Sequence, residues 1–109
     1  MSLKAAFIFV APEADPKKHH AVVETPIITL TVVSVPTYDA AVDIAKKLVE
    51  EGNVALELCG GFGIEGIALV KTAVKGKAAV GVVRFENHPG LEFKSGDEIF
   101  QASTLSKAN

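Results

Sequence analysis

The chain alternates short apolar runs with segments that repeat apolar residues at helical spacing. Four runs, at 4–11, 27–35, 54–59 and 78–85, are rich in Val, Ile and Ala, as is typical of buried strands. Segments 38–52 and 64–76 place their apolar residues on one stripe, which predicts two amphipathic helices. The pattern therefore predicts the element order β-β-α-β-α-β.

Residues 12–26, "PEADPKKHHAVVETP", separate the first two predicted strands and interrupt the apolar pattern. They carry three of the five prolines of the chain. We predict a polar crossing segment with a short turn of helix around Lys17–Val23.

Strands separated by helices of 10–15 residues favour a parallel sheet with right-handed crossovers. Two successive crossovers in one direction place both helices on the same face. We predict a two-layer α/β sandwich of four mainly parallel strands with two principal helices on one face, the first strand being able to pair antiparallel. We predict that residues 1–100 form one domain and that 101–109 are a disordered tail.

The third predicted strand, "VALELC", alternates between the two faces of that sheet. Val54, Leu56 and Leu58 are expected to meet the helices, so Glu57 and Cys59 point to the opposite face. A carboxylate on that face needs a partner if it is buried. We expect the partner to be Arg84 on the next strand, with His88 close by.

Composition narrows the possible partners. The chain is 49% hydrophobic with a mean hydropathy of +0.32, yet no run reaches the roughly 18 apolar residues of a membrane span. This surplus predicts a homo-oligomer that buries the helix-free face or a sheet edge. The net charge of −2 comes from mixed residues, which argues against nucleic acid. One cysteine and no signal-peptide pattern favour the cytoplasm.

Three of the four glycines in the stretch "CGGFGIEG", namely Gly61, Gly63 and Gly66, have the spacing of a dinucleotide-binding turn. The stretch follows a strand and opens a helix, and Glu86 lies 20 residues after Gly66. Against a nucleotide site, the stretch is on the third strand of a short chain, and Phe62 stands where a pyrophosphate needs free approach. The alternative is a structural role, with positive φ and close packing of helix on strand.

Two further hypotheses use the same turn. The first is a small anionic metabolite bound by the backbone N–H groups of the turn and by Arg84, the ligand-binding residues being Gly60, Gly61, Phe62, Gly63 and Arg84. The second is a small enzyme with Cys59 as the nucleophile, His88 as acid or base and Glu57 as an orienting group. A third possibility is an assembly subunit without a ligand.

Metal chemistry is weakly indicated. His19 and His20 are adjacent, and neighbouring side chains of an extended segment point in opposite directions. The sequence contains no CxxC or HxxxH spacing. We therefore predict neither a metal nor a cofactor.

Three segments, "ELCGGFG", "GVVRFENHPG" and "KSGDEIF", resemble a small prokaryotic family of roughly hundred-residue domains of unknown function. The resemblance extends from "KAAFIFVAPEADP" to "GDEIF". It implies that Glu57, Cys59, the turn at 60–63, Arg84 and the pair His88–Pro89 belong to one motif set. It implies no activity.

Overall fold

The computed structural model describes residues 3–100, so the predicted tail at 101–109 lies outside the described residues. The elements are β1 (Leu3–Val10), β2 (His20–Glu24), β3 (Ile28–Val35), α1 (Tyr38–Glu50), β4 (Ala55–Leu58), α2 (Ile64–Ala73), β5 (Ala79–Val82), a 3₁₀ turn (Pro89–Leu91) and α3 (Gly96–Ile99).

The strands form one sheet in the order β2-β3-β1-β4-β5. β1 pairs in parallel with both β3 and β4, and β4 pairs in parallel with β5. The predicted α/β class and mainly parallel sheet are confirmed. The first strand of the chain is the central strand of the sheet and is parallel to both neighbours, which settles its open pairing direction.

The predicted strand number was wrong because β2 was not recognised. It pairs antiparallel with β3 at the edge of the sheet, where the sequence predicted a turn of helix. The side chain of Thr25 closes the connection by accepting a hydrogen bond from the amide of Ile28 at 2.9 Å. All five residues of β2 are exposed, so no buried face marked it in the hydrophobic pattern.

α1 and α2 pack side by side on one face of the sheet, as predicted. Thr37 caps α1 by accepting a hydrogen bond from the amide of Ala40 at 3.1 Å, and Gly52 follows the helix with a φ of 98°. The core lies between these helices and the sheet. Its fully buried members include Ile8, Tyr38, Leu56, Leu58 and Val70.

The opposite side of the sheet has no described helix on it, and we call it the helix-free face. The predicted alternation of β4 is confirmed there, because Leu56 and Leu58 are fully buried and Glu57 is exposed. Val54 does not join the core; it precedes β4 and is 50% exposed. Phe7 and Phe9 lie half-buried on the helix-free face with their rings stacked at 6.5 Å.

Candidate functional site

The turn between β4 and α2 lies at the carboxyl end of the sheet and is covered by the last described part of the chain. Residues 60–63 are all buried. A side chain at Gly60 would collide with the ring of Phe85, and one at Gly63 with the carboxylate of Asp97. Neither glycine has a positive φ. The structural reading of these glycines therefore applies through close packing and not through φ.

The N-terminus of α2 already holds a carboxylate, that of Asp97 at the start of α3. Its Oδ2 accepts a hydrogen bond from the amide of Glu65 at 3.1 Å, and its Oδ1 accepts one from the amide of Gly66 at 3.3 Å. Gly63 is the N-cap residue of α2 and has no side chain to offer these amides. Asp97 supplies the missing cap from a distant part of the sequence.

Tyr38 links this cap to the core. Its hydroxyl donates to Asp97 Oδ1 at 2.9 Å and accepts from the amide of Gly63 at 3.0 Å, while its ring stacks on Phe62 at 5.6 Å. Burial raises the pKa of Tyr38 well above its ordinary value, and Asp97 reinforces the shift. The hydroxyl therefore stays protonated and remains a donor to the carboxylate.

Cys59 uses two backbone donors at the start of the turn. Its half-buried Sγ accepts from the amide of Gly61 at 3.3 Å and from the amide of Val10 at 3.5 Å. Its carbonyl oxygen accepts from the amide of Phe62 at 3.1 Å. Amides that the anion hypothesis assigns to a ligand thus have acceptors within the chain.

The expected pairing of Glu57 with Arg84 was wrong. The register places Gly81 opposite Glu57, and β5 ends at Val82 before Arg84 is reached. The guanidinium of Arg84 instead binds Glu86 at 2.8 Å and the carbonyl of Phe85 at 2.6 Å. Within residues 3–100, Glu57 forms no ion pair or hydrogen bond through its side chain. Its exposure removes the desolvation cost on which the expectation depended.

Phe85 lies between His88 and the turn. The ring of His88 lies 4.7 Å from the ring of Phe85, which in turn covers Gly60. His88 Nδ1 accepts a hydrogen bond from the amide of Gly90 at 2.9 Å, so Nε2 carries the proton of the neutral ring. In the described part of the chain no hydrogen bond joins His88, Cys59 and Glu57, and the enzyme hypothesis stays a prediction.

The two adjacent histidines are engaged in a local turn. His19 Nδ1 accepts from the amide of Asp15 at 2.8 Å, and His20 Nδ1 lies 3.1 Å from the carbonyl oxygen of Pro16. Among residues 3–100 there is no group of three His, Cys, Asp or Glu side chains placed to hold a metal ion.

Sequence reasoning missed Asp97 and Tyr38 as parts of this site. One local signal was present: Ser95 and Glu98 form a capping box, which marks the start of α3. The absence of a capping side chain at Gly63 was a second signal. Nothing in the sequence near either segment indicated that Asp97 would cap α2.

A family model matches residues 3–98, and the chain belongs to that family, described as a family of unknown function (DUF6506). The match confirms the resemblance seen in the sequence. No curated protein and no solved structure matches the chain. None of the helices formed by residues 3–100 has the length and apolar character needed to cross a membrane.

Proposed function

We propose that this member of a family of unknown function is a self-associating module, in which two copies pack the helix-free faces of their sheets against each other. The observation that carries the proposal is an apolar sheet face with no described element on it. The glycine turn supports it indirectly, because the amides expected to bind a ligand are used internally.

The strand residues of the helix-free face are almost all uncharged. By the strand register, the following residues point to the same face as Phe7: Leu3, Ala5, Phe7, Phe9, Ala21, Val23, Ile28, Leu30, Val32, Ser34, Ala55, Glu57, Ala79 and Gly81. Glu57 is the only charged residue among them. A contiguous apolar patch of this kind is typical of a surface covered by another protein.

The size of the face suits a second copy. Five strands at about 4.8 Å spacing and a longest strand of about 26 Å give a projected area on the order of 500 Å². Two such faces together remove about 1,000 Å² from solvent, which is near the lower limit for a specific interface. A two-fold dimer uses the same patch twice, so no further partner is required.

Glu57 constrains how the two faces meet. It lies between Phe7 and Gly81, on the side of the sheet towards β5. Burying its unpaired carboxylate would cost several kcal/mol, roughly. The contact is therefore centred on β1 and β3, and Glu57 stays at its rim.

Light scattering after size-exclusion chromatography tests the proposal, since one copy has a mass of 11.4 kDa. We expect the mass of two copies at micromolar concentration. Phe7→Lys, in the middle of the face, should give the mass of one copy. Val54→Lys is the control, because Val54 is 50% exposed and follows the alternation of the helix side. A wild-type protein with the mass of one copy at about 100 µM would refute the proposal.

A second candidate function is the binding of a small anionic metabolite at the turn of residues 60–63. It is favoured by one observation: the N-terminus of α2 already holds a carboxylate. An external anion would have to replace Asp97 there, with Arg84 as its proposed cationic partner.

Thermal unfolding in acetate and in phosphate separates the two roles of this turn. If the turn is a ligand site, either anion raises the melting temperature of the wild-type protein. If Asp97 is only a cap, the anions stabilise Asp97→Ala alone.

A further inference from the structure

A groove lies on the helix side of the sheet, along the edge formed by β2. α1 lies over β1 and β3, and α2 packs beside it towards β5. In the described part of the chain no helix covers β2. The groove left there has a volume of about 670 Å³, within the range of about 300–1,000 Å³ typical of small-molecule sites.

The floor and one wall of the groove are apolar. Val22 and Val33 come from the sheet, and Ile44 and Leu48 come from α1. Val33 and Leu48 are buried, whereas Val22 is 51% exposed although it is a large aliphatic side chain. The groove therefore offers apolar surface that a ligand could remove from water.

Charged side chains of both signs surround this apolar floor. The cations are Lys17 and Lys47, and the carboxylates are those of Asp15, Asp43 and Glu51. None of the five forms an ion pair within residues 3–100, where the two ion pairs are Arg84–Glu86 and Lys94–Glu92. Asp15 Oδ1 accepts a hydrogen bond from the amide of Lys17 at 2.9 Å. The groove thus presents cations and carboxylates that have no ion-pair partner among residues 3–100.

We propose that the groove binds a short peptide with apolar side chains and free charged termini. The apolar floor takes the side chains, the lysines attract the terminal carboxylate, and the carboxylates attract the terminal ammonium group. A fatty acid would leave the acidic groups unmatched, and a neutral amphiphile would leave both sets unmatched.

The dimensions agree with a peptide of about three residues. Asp43 on α1 and Glu51, which directly follows α1, are eight residues apart, which corresponds to about 12 Å along the helix axis. An extended tripeptide spans about 10 Å. A ligand of this length fits along α1, beside Lys47 and these two carboxylates.

This proposal does not depend on dimer formation. The groove is on the helix side, whereas the proposed dimer uses the helix-free face. The groove and the helix-free face can be tested separately at neighbouring residues of β2, because Val22 faces the groove and Val23 faces the helix-free face. Both are exposed, at 51% and 55%, so both tolerate a polar replacement without loss of the core.

Isothermal titration calorimetry with the tripeptide Leu-Val-Leu tests the proposal. We expect a Kd below about 1 mM for the wild-type protein and at least about tenfold weaker binding by Val22→Glu. Val23→Glu should bind within about twofold of the wild type, whatever its oligomeric state. Circular dichroism of each variant verifies that it is folded.

Two further ligands test the role of the charges. The same tripeptide with an acetylated N-terminus and an amidated C-terminus should bind at least about tenfold more weakly, and so should octanoate. The proposal is overturned if folded wild-type protein shows no heat of binding with Leu-Val-Leu at about 5 mM. It is also overturned if the capped peptide or octanoate binds the wild-type protein as tightly as Leu-Val-Leu does, or if Val22→Glu binds Leu-Val-Leu as tightly as the wild type.

Discussion

Gly63 begins α2 without a side chain that could cap it, and Asp97 fills that role from 34 positions further along the chain. The sequence predicted an anion at this helix N-terminus, and the carboxylate that lies there is that of Asp97. The sequence could not indicate that the anion is internal, because the contact joins two segments whose proximity is set by the whole fold. Residue patterns identify the kind of group that a site requires, and the tertiary structure determines where that group comes from.

The first prediction concerns this cap. Asp97→Ala should lower the free energy of unfolding by about 2 kcal/mol, because it removes charged hydrogen bonds to two amides and to Tyr38. For a domain of this size the melting temperature falls by about 10 °C. Acetate should restore part of the loss. Glu86→Ala, which removes an exposed ion pair, is the control and should change stability by less than about 0.5 kcal/mol.

The second prediction concerns the alkaline limit of stability. The raised pKa of Tyr38 means that the unfolded chain loses this proton first as the pH rises above about 10. Stability attributable to Tyr38 is then complete below pH 10 and falls above it by about 1.4 kcal/mol per pH unit. Tyr38 is the single tyrosine of the chain, so absorbance at 295 nm reports its ionisation directly. Phenolate absorbance rising around pH 10, before unfolding, would contradict the prediction. Tyr38→Phe should lose this part of the pH dependence.

At the scale of elements, the sequence predicted α1, α2, β1, β3 and β4 because each buries a regular face, and it predicted β5 from a run of Ala and Val. β2 and α3 were not predicted. β2 has no buried residue, and α3 is a single turn that is stabilised by its contacts with the turn at 60–63 and the start of α2. Elements of this kind are held by their neighbours, and their own hydrophobic pattern carries little information.

The third prediction tests that dependence of α3. A side chain at Gly96 would collide with the backbone carbonyl of Gly61, so Gly96→Ala should detach α3 and destabilise the protein by about 3 kcal/mol. Hydrogen exchange should show lost protection at the amides of Glu65 and Gly66. Gly81→Ala is the matched control, since its nearest neighbour would be the Glu57 side chain at 3.8 Å. Unchanged exchange at Glu65 and Gly66 in Gly96→Ala would show that α3 is not what protects them.

At the scale of the whole molecule, the sheet order could not be read from the hydrophobic pattern. β1 lies between β3 and β4, so the connection through α1 passes over it. The same order places Phe7 and Phe9 in the middle of the sheet, on the face that the helices leave open. Part of the apolar excess of the composition thus lies on the helix-free face, which is the surface used in the self-association proposed above.

The last prediction follows from mass action. If two copies associate through the helix-free face and separate when they unfold, a tenfold rise in protein concentration stabilises the pair by about 1.4 kcal/mol. With an unfolding entropy of about 2.1 cal/mol/K per residue in two chains of this length, the melting temperature rises by about 3 °C. Differential scanning calorimetry between about 10 and 1,000 µM measures this rise. Phe7→Lys, which places a charge in the contact, should melt at a temperature independent of concentration. Glu57→Gln should retain the wild-type dependence and melt close to the wild type, because Glu57 lies at the rim of the proposed contact and stays solvated. A wild-type melting temperature that does not change with protein concentration would contradict the proposed dimer.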